Sequence, residues 1–268
     1  MINEVLLVCD LDGTLLNESG QVDKTSLENL RRFCQDGGHF IVCTGRMDSD
    51  IKYIEEQLGF SGEFRISQNG AVIKNKKNET IFLETIPEKY ISTINQAVFS
   101  KPLRTEVSDE VHRHFPSPRN PENVAEFVDS SLIIEDLPSY VLKGAISPTI
   151  YLTFGESQVF NQIKEDINNN LGAGKVNIVQ TSPSSLEIFS SQVSKGEAVK
   201  KIKKQLAIDS KNLYIVGDAE SDISMFSLSN YSYAVQNAEE EIREKANYYV
   251  PTVGDVVDEI YSHRGLIK

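Results

Sequence analysis

Two aspartates stand two residues apart at the end of an apolar run: Asp10 follows Val5–Cys9 directly, and Asp12 comes after Leu11. A carboxylate can attack phosphorus and carry the phosphoryl group. A second one beside it can protonate the leaving oxygen, provided it holds a proton, which crowding by negative charge favours. Asp218 and Asp222 follow another apolar run, Leu213–Val216, across Gly217. A third run, Phe40–Cys43, delivers Thr44 and Gly45. Thr44 offers a hydroxyl and a backbone N–H to phosphate oxygens, and Gly45 allows close backbone approach. Lys195 stands where a helix should start, an end that attracts anions. Its ammonium could neutralise both a phosphate and Asp10.

A buried group of Asp10, Asp12, Asp218 and Asp222 repels itself unless a cation is present. Oxygen donors without His or Cys suit a hard ion such as Mg²⁺. Any one of these aspartates could instead be a helix N-cap or turn former. Four of them at matching strand ends make that reading a poor account of the set.

These side chains need a frame that brings strand ends together. Continuous apolar runs, as in Val5–Cys9, mark strands covered on both faces, as in a parallel α/β sheet. A helix is predicted from Lys24 to about Cys34, with Leu27, Leu30 and Phe33 on its apolar face, and Gly37-Gly38 ends it. A second helix spans Asp48 to Leu58, and a short strand ends at Gln68-Asn69-Gly70, so the chain opens as β-α-β-α-β. Ser194-Lys195-Gly196-Glu197 has the form of a capping box. It opens a helix to about Leu206. A strand at Leu213–Val216 follows, then a helix from near Asp222, and Tyr233–Val235 is the last strand expected there. Between Phe82 and Glu187 the strands look half-exposed. Helices are predicted at 88–99 and 158–171, and strands at 149–153, 175–180 and 185–189. The fold expected is α/β, a Rossmann-like parallel-sheet core interrupted by an α+β insert. In such sheets ligands bind beyond the carboxyl ends of the strands.

Composition narrows the partners. The net charge of −12 over 268 residues leaves no basic footprint for nucleic acid, and an anionic substrate would need local cations to overcome that field. No segment approaches the roughly 18 apolar residues of a membrane span. Glu4 stands where a signal peptide is basic, so a cytoplasmic location is expected. Cys9, Cys34 and Cys43 cannot all pair, and the two strand cysteines read as small core residues.

Taken in order, Asp10-Leu11-Asp12-Gly13-Thr14, Thr44-Gly45-Arg46, Ser194-Lys195-Gly196 and Gly217-Asp218-x-x-Ser221-Asp222 resemble the four motifs of the haloacid dehalogenase superfamily. The large central insertion resembles its Cof-type branch with a type IIB cap, as do Gln68-Asn69-Gly70-Ala71 and Gln236-Asn237-Ala238. The resemblance spans the chain. It implies a catalytic core of residues 1–82 and 188–268, and a substrate-selecting cap of 83–187. It implies Asp10 as nucleophile and Mg²⁺ ligand. Asp12 would be the general acid/base, binding Mg²⁺ through its backbone carbonyl. Thr44, Gly45 and Lys195 would bind phosphate, Asp218 would ligate the metal, and Asp222 would support the metal site. Ser221 departs from the pattern, since most Cof-type sequences carry Asn there.

Weaker signals have two readings. Arg46 could touch a second anionic group of a substrate or pair with the acidic helix beside it. Asn69 could bind substrate or form the turn that Asn-Gly favours. His112-x-His114 lacks a third metal ligand and reads as loop. Arg104 and Lys143 are candidate cap contacts. The function expected is Mg²⁺-dependent hydrolysis of a small phosphorylated metabolite, such as a sugar phosphate or a phosphorylated cofactor precursor, by a monomer or small homo-oligomer. A hexose phosphomutase is the alternative, disfavoured by the sparse Lys and Arg of the insert. A non-catalytic phosphate- or metal-binding regulator is disfavoured by the presence of both Asp10 and Asp12.

Overall fold

The computed structural model describes residues 1–120 and 126–266. The first apolar run becomes β1 (Leu6–Cys9), buried at every residue. There follow α1 (Lys24–Gln35), β2 (His39–Val42), α2 (Asp48–Leu58), β3 (Phe64–Ser67), β4 (Val72–Asn75) and β5 (Thr80–Leu83). Asp23 caps α1 by accepting the Ser26 N–H, and Gly59 at φ +78° ends α2 in the left-handed conformation that glycine tolerates.

Next come α3 (Glu88–Phe99), β6 (Arg104–Ser108), β7 (Arg113–Phe115), β8 (Ser131–Ile133), α4 (Leu137–Leu142), β9 (Ile150–Phe154), α5 (Ser157–Leu171), β10 (Val176–Ser182) and β11 (Ser185–Ser190). The chain closes with α6 (Lys195–Gln205), β12 (Leu213–Gly217), α7 (Ile223–Phe226), β13 (Tyr231–Val235), α8 (Glu240–Arg243), β14 (Tyr248–Val250) and α9 (Val253–His263). It divides into two units, Met1–Phe82 with Ser194–Lys268, and Leu83–Val193. The second unit runs past the expected residue 187 because β11 is paired along its length with β9 and β10.

In the first unit five strands lie in the order β14-β13-β12-β1-β2, all parallel. β1 is flanked on both sides, with Leu6–Cys9 matched to Leu213–Val216 of β12 and to His39–Val42 of β2. The chain leaves β1 toward β2, whereas the later strands build outward from β12 in the opposite direction. The crevice between β1 and β12 is therefore a topological switch point. Leu6, Val8, Ile41 and Ile215 pack with Ala198, Val199 and Ile202 of α6, which fixes that helix against the sheet. Two expectations change here. β3 does not extend the parallel ladder: it pairs antiparallel with β4 in a separate sheet, β3-β4-β5, and meets the line of β2 at a single parallel bridge, Cys43 to Ile66. Nor is β13 the last strand, since β14 adds to its free edge.

The second unit is a six-stranded sheet in the order β10-β11-β9-β6-β7-β8, antiparallel except for β7 with β8. Val107, Tyr151, Leu186 and Ile188 meet Ile94, Val98, Leu137, Val141, Phe160 and Ile163 of the helices. Strand alternation turns the next residues to the opposite face. There Glu106 and Glu187 flank Leu152 in one cross-strand row. β6 and β7 escape the hydrophobic pattern because Thr105, Glu106 and His114 are buried polar residues, and β8 because it has only three residues, none of them buried. His114, expected in a loop, lies in β7 with Nε2 2.9 Å from Asp109 Oδ2.

Glu106 is 4% exposed, and among the described residues it makes no hydrogen bond or ion pair. Burial raises its carboxyl to about 7, Glu126 and Glu187 add to the effect, and Arg113 and Arg119 oppose it. An unfolded chain releases this proton near 4.5 and the folded one near 7, so stability falls as pH rises through that window. The cost above pH 7 is about 3 kcal/mol. Glu106→Gln should match the parent at pH 4 and exceed it by about 1–3 kcal/mol at pH 8, as read from urea unfolding at the two pH values.

Candidate active site at the strand ends

β1 runs straight into Asp10, whose N–H donates to the Val216 carbonyl of β12 at 3.0 Å. The ladder thus fixes the backbone of Asp10 at the switch point. Asp10 is 5% exposed, with Oδ1 2.7 Å from Lys195 Nζ. The same ammonium lies 2.8 Å from Asp222 Oδ1. Asp222 is fully buried, and its Oδ2 accepts the Asp218 and Ala219 N–H groups at 2.9 and 3.0 Å. One carboxylate therefore ties Lys195 to the loop that follows β12. Two aspartates share one ammonium, so a surplus of negative charge stays buried. Burial and then Asp222 raise the Asp10 carboxyl above its usual range, while Lys195 pulls it down. For Lys195 itself burial works against the charge, yet Asp10 and Asp222 outweigh it and raise its pKa.

Asp218 Oδ1 accepts the Thr14 hydroxyl at 2.5 Å. Burial is the main reason its carboxyl is pushed up to about 6. The turn between Asp12 and Thr14 works only with glycine. Gly13 sits at φ +75°, and a Cβ there would lie 2.3 Å from Asp218 Oδ2. Asn237 donates to the Gly13 carbonyl at 3.2 Å, which gives the Gln236-Asn237-Ala238 segment a role in holding this turn.

Asp10, Asp218 and Asp222 each place one carboxylate oxygen within 4.8 Å of the others. The Asp12 carboxylate does not join them. It is exposed, and both its oxygens meet Arg46, Oδ2 with Nε at 2.7 Å and Oδ1 with Nη2 at 2.8 Å. The negative crowding expected around Asp12 falls on Asp10 and Asp218 instead. The three-aspartate donor set is all oxygen and carries excess negative charge, which fits a hard divalent cation.

Thr44 is buried after β2, its N–H donating to Ile66 and its hydroxyl accepting the Arg46 N–H at 3.2 Å. Asn69 lies over Gly45, since a Cβ there would stand 3.1 Å from Asn69 Oδ1. Gln68 and Asn69 both have positive φ, 52° and 57°, which is costly for residues other than glycine. Bonds from the Gln68 N–H to the Arg46 carbonyl and from the Asn69 N–H to the Thr44 carbonyl hold them there. Arg46 pairs with Asp12 and with Asp50, Nη1 to Oδ2 at 3.7 Å.

Ser194 caps α6 by accepting the Glu197 N–H, but Glu197 turns to Lys200 rather than completing a capping box. The Ser224 hydroxyl accepts the Gly196 N–H at 3.0 Å and donates to the Ser221 carbonyl at 3.0 Å. A Cβ on Gly196 would lie 2.2 Å from the Ser224 carbonyl oxygen, so Gly196 lets α6 and α7 meet. Ser221 is exposed and contributes that carbonyl. Thr14, the last residue of the Asp10–Thr14 motif, and Ser224 carry parts of the site to which the sequence assigns no role. Thr14 had a signal, as a hydroxyl one residue past a glycine turn, whereas Ser224 had none. Cys9 and Cys43 are buried free thiols whose pKa burial raises, in keeping with core packing. In the insert, Arg104 lies over the Phe115 ring and donates to the Ser117 carbonyl, and Lys143 is an exposed C-cap of α4.

Residues 7–259 match the family model of the haloacid dehalogenase-like hydrolases. Phosphatase YwpJ of Bacillus subtilis strain 168 is 29% identical over 266 residues, covering 90% of this chain and 93% of that protein. The 5-amino-6-(5-phospho-D-ribitylamino)uracil phosphatase YwtE of the same strain is 24% identical over 268 residues, covering 90% and 91%. The fold is also that of the subclass IIB sugar phosphatase BT4131, with a TM-score of 0.79 at 18% identity over 98% of this chain and 100% of that one.

Because both oxygens of Asp222 accept from donors, an amide cannot replace it. Whichever way an asparagine side chain is turned at this position, its NH₂ faces either the Lys195 ammonium or the two backbone N–H groups. Asp222→Asn should cost about 2–4 kcal/mol of stability, measured as a lower urea midpoint with an unchanged slope.

Proposed function

This chain belongs to the haloacid dehalogenase-like hydrolases, and from that premise we propose that it cleaves small phosphate monoesters through a phosphoryl group carried on Asp10. It is a phosphatase of that family, like the relatives it matches over nine-tenths of its length. The observation that supports the assignment most is the buried Asp10 at the end of β1, gripped at Oδ1 by Lys195 beside Asp218 and Asp222. Among the described residues its Oδ2 takes no hydrogen bond, which suits an oxygen that attacks phosphorus.

Asp10 attacks the phosphorus and the bond to the leaving oxygen breaks. Asp12 gives that oxygen a proton. Water then attacks the aspartyl-phosphate, Asp12 takes the water's proton, and inorganic phosphate leaves with Asp10 restored. Thr44 and the N–H groups around Gly45 bind the phosphate oxygens, and Lys195 balances charge on both the nucleophile and the phosphate. Asp10, Asp218 and the backbone carbonyl of Asp12 would hold Mg²⁺, with Asp222 fixing the loop that presents Asp218. A bound Mg²⁺ supplies positive charge against the phosphate oxygens. The insert, residues Leu83–Val193, selects the substrate. The named activities of YwtE and BT4131 make a polyol or sugar phosphate the first class to try.

The mutase alternative needs free cations in the insert for a second phosphate. Arg104 and Arg119 lie over the Phe115 ring, but Arg104 donates to the Ser117 carbonyl, Arg113 and Arg119 are engaged by Glu126, and Arg119 also by Asp129. That favours hydrolysis. Purified protein with Mg²⁺ should release phosphate from members of a phosphate-ester panel. EDTA should stop the release and added Mg²⁺ restore it. Asp10→Asn should lower kcat by about 10³ or more. Equal rates for Asp10→Asn and the parent would refute the mechanism. An isomerised product formed only with catalytic sugar bisphosphate would point to the mutase.

A further inference from the structure

Arg46 lies between two carboxylates from different parts of the chain. On one side it meets both oxygens of Asp12, at 2.7 and 2.8 Å. On the other it reaches Asp50, a fully buried residue in the first turn of α2, at 3.7 Å. A two-point guanidinium contact fixes the carboxylate's orientation as well as its distance. In this arrangement neither Asp12 oxygen can serve a leaving group. The acid–base step therefore requires Asp12 to leave Arg46.

Departure takes one carboxylate away from a guanidinium that is only 18% exposed, which costs more there than it would in water. Asp50 offsets part of that cost, because its carboxylate stays beside Arg46 when Asp12 moves away. Asp50 is itself held firmly. α2 is anchored to β3 by the buried cluster of Asp48, Arg65 and Glu55, with Arg65 Nε 2.6 Å from Asp48 Oδ1 and Nη1 3.5 Å from Glu55 Oε2. Arg65 also donates to Asn78 at 2.9 Å, which fixes its remaining edge.

We propose that Arg46 is a docking post for the Asp12 carboxylate, and that Asp50 is a positioning residue that allows Asp12 to move from that post to the leaving oxygen. The proposal rests on the acid–base reading of Asp12. Without the charge of Asp50, the attraction of Arg46 falls more fully on Asp12, and the post holds it too tightly. Loss of Asp50 should therefore slow protonation of the leaving group and leave substrate binding nearly unchanged.

The test compares an alkyl phosphate, whose leaving oxygen needs a proton, with p-nitrophenyl phosphate, whose leaving group departs without one. Asp50→Asn should lower kcat on the alkyl ester about tenfold more than on the nitrophenyl ester, with KM within about twofold. In an Asp12→Asn background, adding Asp50→Asn should produce no further selective loss, since residues acting through one step are not additive. Arg46→Gln, which removes the post, should shift the ratio of the two esters in the direction opposite to Asp50→Asn, and should lose that effect when Asp12 is replaced by Asn. It keeps the cycle informative if Asp50→Asn folds poorly by thermal melting. Equal losses on both esters, or additivity with Asp12→Asn, would overturn the proposal and make Asp50 a structural residue. If Asp12→Asn itself spared the alkyl ester as fully as the nitrophenyl ester, the acid–base reading would fail and the proposal with it.

Discussion

One ammonium shared by two buried carboxylates organises this site. Lys195 Nζ stands 2.7 Å from Asp10 and 2.8 Å from Asp222, and each partner brings a different part of the chain. Asp10 brings the end of β1, Asp222 brings the loop after β12, and Lys195 brings the first residue of α6. A buried ion pair is poor evidence for stability, because desolvation offsets most of the attraction. Its use here is positional. The surplus carboxylate charge also gives the site a reason to take up a cation.

The close approach of these segments depends on places where no side chain fits. Gly13 leaves room for Asp218, Gly196 for the Ser224 backbone, and Gly217 for the Asp222 carboxylate, where a Cβ would come within 2.5 Å. Around them a few neutral groups settle the details. Thr14 orients Asp218, Ser224 satisfies the Gly196 N–H, and Asn237 holds the Gly13 carbonyl. Each is a single hydrogen bond, but together they set where the charged groups point. Preorganised polar groups of this kind are what phosphoryl transfer chiefly asks of a protein.

The insert follows a different logic. One face of its sheet is an apolar core packed by helices, whereas the opposite face carries Glu106 and Glu187 in one row. Burial of Glu106 costs stability above neutral pH, a cost that packing considerations alone would have removed.

Much of this was readable from residue order. Continuous apolar runs located β1, β2 and β12, since a doubly covered strand has no polar face to interrupt it. The residues just past those runs are the ones that converge. The reading failed where period and polarity mislead. β6 and β7 carry buried Thr, Glu and His, and β8 has only three residues. β3 looked like another parallel strand, yet an antiparallel partner only a few residues later claimed its hydrogen bonds. The sequence by itself determined which carboxylates, hydroxyl and lysine stand at strand ends and helix starts, because hydrophobic periodicity sets where elements end. Only the tertiary structure decided that Asp10, Asp218 and Asp222 gather while Asp12 turns to Arg46. That choice depends on which cation lies within reach, and the distance from Asp12 to Arg46 is a property of the folded sheet, not of the 34 positions that separate them along the chain.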